Sequence, residues 1–251
     1  MTILRSLGWN AGLLGRSAAV LALLASIVCR EGFASEAATL DFSDPLGGKP
    51  APFPDERSSE LLKYLGVERF HTREDQCRPD DIETPIYGGA SRFEGRFIPG
   101  NARQELVSVT LAVCNQPYWY HRMYLVVFAN DTPVGRIQNA CNFTVMVRPD
   151  PDNPSSHLAI GTCGGSGQGY QEARATVYGY RANGFRKIHD LGFVYWDNCG
   201  AAEPGEKRFA VLTMAAGGRY SAKTYRASCE NKQGEAPQFL HGGSLAKEDR
   251  P

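Results

Sequence analysis

The sequence predicts a mainly β protein, an incomplete propeller-like array of about three antiparallel β-meander repeats with one short N-terminal helix. Three observations carry this. Between residues 91 and 230 the chain is a succession of short β-branched and aromatic runs. Asn183-Gly184, between Tyr178-Gly179-Tyr180 and Phe185-Arg186-Lys187-Ile188, is a hairpin signal, because Asn-Gly adopts the positive φ angles of a type I′ turn at little steric cost. Leu106, Leu158 and Ala210 recur in steps of 52 residues, each after a polar loop containing Pro or Gly. A loop plus several strands at such a period is what one propeller blade requires.

Residues 1–34 read as a signal peptide. Arg5 and Arg16 supply positive charge, and Ser17 to Val28 is an apolar stretch of 12 residues, too short to span a bilayer. Small residues around Ala34 and Ala37 suit a signal peptidase, so a mature start between Ser35 and Ala38 is expected. Residues 35–54 lack periodicity and read as a flexible lead-in. Residues 55–90 hold a helix and an acidic loop. Asp55 is placed to cap the helix, Leu61, Leu62 and Leu65 share one face, and Gly66 ends it. The β-repeat domain spans 91–230. Strands are expected near 91–97, 104–113, 122–129, 134–139, 142–147, 157–162, 173–181, 185–189, 193–196, 208–214 and 219–226. The polar tail, 231–251, reads as disordered.

Basic and acidic residues number 27 each, so no charge excess points to nucleic acid. Without Cys29, six cysteines remain: Cys77, Cys114, Cys141, Cys163, Cys199 and Cys229. An even number in an exported chain reads as three disulfides with fifteen possible connectivities. No close C-x-x-C pair suggests structural zinc. If each bridge closes one repeat, Cys114 joins Cys141, Cys163 joins Cys199, and Cys77 joins Cys229.

The repeated segments are Gly95 to Val109, Arg148 to Gly161 and Ala202 to Met214. Their loop-then-strand pattern resembles the FG-GAP type of β-propeller repeat. Gly95, Phe97, Gly100, Glu105, Leu106 and Val107 carry the resemblance in the first segment, and Asp150, Asp152, Leu158 and Ile160 in the second. The resemblance implies calcium-binding loops, in which hard oxygen ligands converge on the ion. Arg96, Ile98, Asn101 and Gln104 stand where the first loop would need carboxylates, and the third keeps only Glu203 and Glu206. Asp150, Asp152 and Asn153 are therefore the metal candidates, interrupted by Pro154 and His157.

Gly161 to Gly169 is the most distinctive string. Tyr170 replaces the third glycine of a dinucleotide loop, and Gln168 the last glycine of a nucleophile elbow around Ser166. The string reads as a loop between strands, tethered at Cys163. The binding candidates are Tyr118, Trp119, Tyr120, Trp196 and Asp197, because aromatic side chains stack on sugar rings or anchor protein partners. His71, Glu74, Asp75 and Cys77 form a further polar cluster, balanced by Arg73 and Arg78. Asn130-Asp131-Thr132 and Asn142-Phe143-Thr144 match the N-glycosylation sequon.

These features favour an exported, periplasmic or secreted, non-catalytic binding or scaffolding module. It has no cofactor and no stable membrane span, and its ligand is a protein or carbohydrate. The alternative is a hydrolase of envelope or extracellular polymers, with Asp197, Asp190 or Glu105 among its acids.

Overall fold

The computed structural model describes residues 38–43, 50–117, 120–142, 144–182, 184–200, 205–217, 219–229 and 236–243. The segment read as a signal peptide, the expected cleavage region up to Ala37, Tyr118, Trp119, Asn183, Glu203 and most of the tail lie outside them. The described strands are antiparallel and form two sheets of five and eight strands.

The five-stranded sheet has the order β2-β3-β4-β5-β6. Its strands are β2 (Ala51–Pro52), β3 (Pro85–Glu94), β4 (Gln104–Val113), β5 (Arg122–Ala129) and β6 (Thr132–Gln138). Asn130 and Asp131, both at positive φ, turn β5 into β6. Alternation along β4 assigns its two faces. Val107, Val109 and Leu111 face helix α1 (Ser58–Tyr64), together with Tyr124, Val126 and Phe128 of β5. Leu106, with Leu125 and Val127, faces the second sheet. Burial on both faces explains why β5 is a continuous apolar run rather than an alternating one.

Helix α1 follows a 3₁₀ turn, Asp55–Arg57. The expected Asp55 cap does not form. Pro54 holds the cap position and makes no side-chain cap bond, and Asp55 is the first residue of the 3₁₀ turn. The C-terminal expectation holds. Gly66 is at φ +77°, its N–H donates to Lys63 O at 3.0 Å, and the Val67 N–H donates to Leu62 O at 2.9 Å. This is a Schellman closure, with Val67 buried against Leu61, Leu62 and Leu65.

The larger sheet runs β13-β12-β11-β10-β9-β8-β7. Its strands are β7 (Thr144–Asp150), β8 (Asn153–Gly167), β9 (Tyr170–Arg181), β10 (Gly184–Asp197), β11 (Glu206–Ala215), β12 (Arg219–Ser228) and β13 (Gln238–Gly243). The two strands expected near 185–189 and 193–196 are one. Register shifts after Lys187, Asp190 and Phe193 interrupt the alternation within it. β10 meets β11 only from Tyr195 to Asp197. Beyond that, β1 (Ala38–Asp41) pairs with Val211–Met214 of β11 and carries Leu40 and Phe42 into the core. Part of the expected lead-in is therefore a core strand, and β13 lies within the segment read as a disordered tail.

Leu106, Leu158 and Ala210 are all buried, in β4, β8 and β11. The apolar faces of β8–β12 gather around Leu158, Ile160, Val177, Val194 and Leu212. The opposite faces of β8 and β9 pack, through Ala159 and Tyr178, on the five-stranded sheet.

The glycine-rich string is not a loop. It completes β8 as far as Gly167, and the turn is Gln168-Gly169, both at positive φ. A Cβ at Gly161 would collide with the Cys141 carbonyl, and one at Gly164 with the Glu172 carbonyl. These glycines permit close backbone approach inside a strand.

All six cysteines form disulfides, but the expected pairing is overturned. The bridges are Cys77–Cys114, Cys141–Cys163 and Cys199–Cys229, with Cα separations of 5.6, 4.8 and 5.4 Å. Register explains the pattern. Cys141 leads into β7, whose Thr144 opposes Thr162 of β8 and so brings Cys163 alongside. The Cys114 N–H donates to Thr84 O at the mouth of the loop that carries Cys77. Ser228 opposes Glu206, whose carbonyl accepts the Asn198 N–H, so Cys199 and Cys229 converge.

Candidate functional site

Between the sheets the packing changes from apolar to polar. Beyond Leu106, the inward positions of β4 are Ser108 and Thr110, and across from them stand Asn142, Thr144 and Val145. These residues line a cleft of about 960 Å³. Gly88, Gly89, Ala90, Ser91 and Phe93 of β3 form another wall, and Phe53, Asp55, Pro50 and Pro52 complete the lining. The β3–β4 register shifts between Tyr87 and Ala90, and Gly89 takes φ +108° there. The residues here, Gly88, Gly89, Ala90 and Ser91, leave this part of β3 without large side chains.

Asn142 fixes the floor. Its Nδ2 donates to Val109 O at 3.2 Å and Tyr124 O at 2.9 Å. Its backbone carbonyl accepts the Ser108 hydroxyl at 3.2 Å, and its Oδ1 accepts from Thr110 at 3.5 Å. Asn142 is only 4% exposed, so the sequon there is internal, whereas Asn130 sits on an exposed turn. Asp55 is the single carboxylate in the lining among the described residues. The cleft offers hydroxyls, backbone groups and the Phe93 ring, and among the described residues no pair of facing acids.

The three candidate acids are committed elsewhere. Glu105 is buried at 6% exposure. It forms an ion pair with Arg57 and a second one with Arg92 at 3.8 Å. The Arg57 guanidinium lies 4.8 Å from the Phe53 ring centroid and 4.9 Å from that of Phe128, clasping the first turn to the sheet. Asp190 contacts Lys187 at 3.2 Å and Arg174 at 3.9 Å. Asp197 accepts from Tyr195 OH at 3.0 Å and the Cys199 N–H at 2.8 Å, and pairs with Lys207 at 3.3 Å. Burial pushes both aspartates up. Hydrogen bonds and cations outweigh it and hold Asp190 and Asp197 below the ordinary carboxylate range. A general acid needs the opposite shift.

Asp150 and Asp152 stand close together in the turn from β7 to β8, as the metal reading requires, but they face a guanidinium. Arg181 Nη1 donates to Asp150 Oδ2 at 2.6 Å, and Nη2 lies 3.5 Å from Asp152. Asp150 also accepts the Asp152 N–H at 2.9 Å. Asn153 Oδ1 accepts from the Ser155 N–H and hydroxyl. The partly buried Trp196 has Arg208 over its ring at 5.5 Å, and Tyr120 is exposed. Arg73 pairs with Asp75 near His71.

Sequence reasoning missed Ser91, Ser108, Thr110, Asn142 and Thr144. Their signal was present, since Ser108 and Thr110 interrupt an apolar alternation at inward positions. No protein-family model, curated protein or solved structure matches the chain.

Proposed function

We propose that the protein is an exported, non-catalytic binding module, whose inter-sheet cleft receives an uncharged, hydroxyl-rich ligand of the oligosaccharide class. The observation that carries this reading is the lining itself. Ser91 and Thr144 offer hydroxyls, Ser108 and Thr110 offer acceptor lone pairs beside the bonds they donate to Asn142, and Phe93 offers a ring, with Asp55 as a carboxylate in the described lining. Three disulfides support the export reading, since such bonds persist in oxidising compartments. No helix among the described residues is long and apolar enough to cross a membrane.

The propeller-like repeat belongs to the same proposal. Leu106, Leu158 and Ala210 are each buried within an antiparallel hairpin, with the second and third in one eight-stranded sheet. The hydrolase reading draws less support, because Glu105, Asp190 and Asp197 are each neutralised by cations.

The test is calorimetric titration with a panel of neutral oligosaccharides. One class should bind the native protein, and Ser91→Trp, which fills the cleft, should weaken it at least about tenfold, or roughly 1.4 kcal/mol. Equal binding by the variant would overturn the assignment, and steady release of shorter sugars would establish the hydrolase.

A further inference from the structure

Outside the cleft, the loop from His71 to Thr84 brings His71 and Asp81 beside Cys114, at the end of β4. His71 Nε2 lies 3.1 Å from Asp81 Oδ2, and the Cys114 sulfur lies within 4.8 Å of both. Cys77 is bonded to that sulfur. The cluster is partly open to solvent, with His71 and Asp81 each 26% exposed.

Its geometry does not depend on the disulfide alone. The His71 N–H donates to Pro85 O at 2.9 Å, and the Tyr87 N–H donates to His71 O at 2.8 Å, so β3 fixes the histidine backbone. The Asp81 carboxylate accepts the Arg78 N–H at 3.0 Å and the Thr84 hydroxyl at 3.3 Å. Asn115 Nδ2 donates to Arg78 O at 2.6 Å and ties the loop to the end of β4. With the bond between Cys77 and Cys114 opened, the Cys114 sulfur stays beside a histidine and a carboxylate that are already placed, with Cys77 one bond's reach away.

We infer that reduction of Cys77–Cys114 creates a site for one zinc-class divalent ion, held by Cys77, Cys114, His71 and Asp81. A dithiol reductant supplies the two electrons. Its sulfurs become a disulfide, its two protons pass to the cysteines, and the protein disulfide breaks. Metal binding then releases both thiol protons, and the His71–Asp81 hydrogen bond gives way to two bonds to the ion. Two thiolates, one imidazole and one carboxylate make a four-coordinate set of the kind zinc favours. The nearest comparable group, Asp197 with Cys199 and Cys229, lacks a histidine.

The experiment measures zinc by competition with a chromogenic chelator on oxidised and dithiol-reduced protein, with near-ultraviolet dichroism reporting the fold. Cobalt substitution reports thiolate ligation through its charge-transfer band. One zinc should bind per reduced chain and none per oxidised chain. Affinity should fall by more than the roughly 10–100-fold that loss of an outer-shell partner costs in His71→Ala and in Asp81→Asn. It should vanish in the double variant Cys77→Ser/Cys114→Ser, and persist in Cys199→Ser/Cys229→Ser. Zinc retained by Cys77→Ser/Cys114→Ser would overturn the assignment. So would binding by the reduced chain only after loss of native dichroism, or the absence of any charge-transfer band.

Discussion

Arg181 Nη1 lies 2.6 Å from Asp150 Oδ2, so a guanidinium occupies the charge-compensating position that a calcium ion would take between Asp150 and Asp152. Arg181 comes from the end of β9 and the aspartates from the β7–β8 turn. Asp152 also accepts the Gly217 N–H at 2.5 Å, so the pair links to the β11–β12 turn. Hydrogen bonding to Asp150, its largest influence, holds Arg181 above the ordinary arginine range.

Removal of this cation leaves a buried carboxylate, since Asp150 is 1% exposed. Arg181→Ala should cost about 3–5 kcal/mol in urea unfolding, the usual penalty for breaking one side of a buried pair. The native protein should melt at the same temperature in calcium and in chelator. A melting point that falls by many degrees in chelator would show that the aspartates bind the ion despite Arg181.

Glu105 makes the same argument at the other sheet. Glu105→Ala removes the buried carboxylate between Arg57 and Arg92 and leaves Arg57 the exposed Asp131 carboxylate at 3.3 Å, so destabilisation of about 3 kcal/mol, the low end for a broken buried pair, is expected. Circular dichroism during urea titration measures it. A loss under about 1 kcal/mol would mean that Arg57 finds solvent and that the clasp is not closed.

Glycine substitutions separate close approach from open positions, since Gly184, expected as a turn glycine, instead opens β10 outside the positive-φ region, and Ala182 at φ +49° takes part in the turn. Gly161→Ala and Gly164→Ala drive a methyl group into a carbonyl, so each should cost at least the roughly 1–3 kcal/mol typical of overpacking. Gly184→Ala, with nothing within 4 Å of an added Cβ, should stay within about 0.5 kcal/mol. Equal effects at all three positions would contradict the strand assignment of 161–167.

Acid titration should show two steps. Burial, and then Arg96, hold His157 below the ordinary 6.5, and its Nδ1 accepts the Arg96 N–H at 3.0 Å. The neutral ring is favoured in the fold, so its contribution is full above pH 6.5 and fades as pH falls through the lowered value. Asp190 and Asp197, lowered from 3.8, contribute fully above that value and are lost below it. His157→Gln should abolish the upper step and leave the lower one. An unchanged upper step in that variant would assign it to another group.

Strand positions were legible because β4, β5, β11 and β12 carry their burial in their own sequence. The expected bounds 104–113 and 122–129 coincide with the strands. The rest depends on partners that sequence does not display. Gly161 and Gly164 look like loop residues until the Cys141 and Glu172 carbonyls are seen against them. Cysteine pairing follows register between strands, and repeat boundaries do not encode register. Glu105 looked like a candidate acid because Arg57 lies 48 positions earlier and meets it only in the fold. Leu40 lies in a segment without periodicity, since β1 is only four residues long, too short to show a period.

Hydrogen exchange with and without the oligosaccharide selected by titration tests the cleft most directly. Added protection should fall on 88–93 of β3, 108–110 of β4 and 142–145 at the start of β7, and leave the Trp196 face of β10 unchanged. Protection confined to β10 and β11 around Trp196 and Arg208, with none along the cleft, would contradict the account.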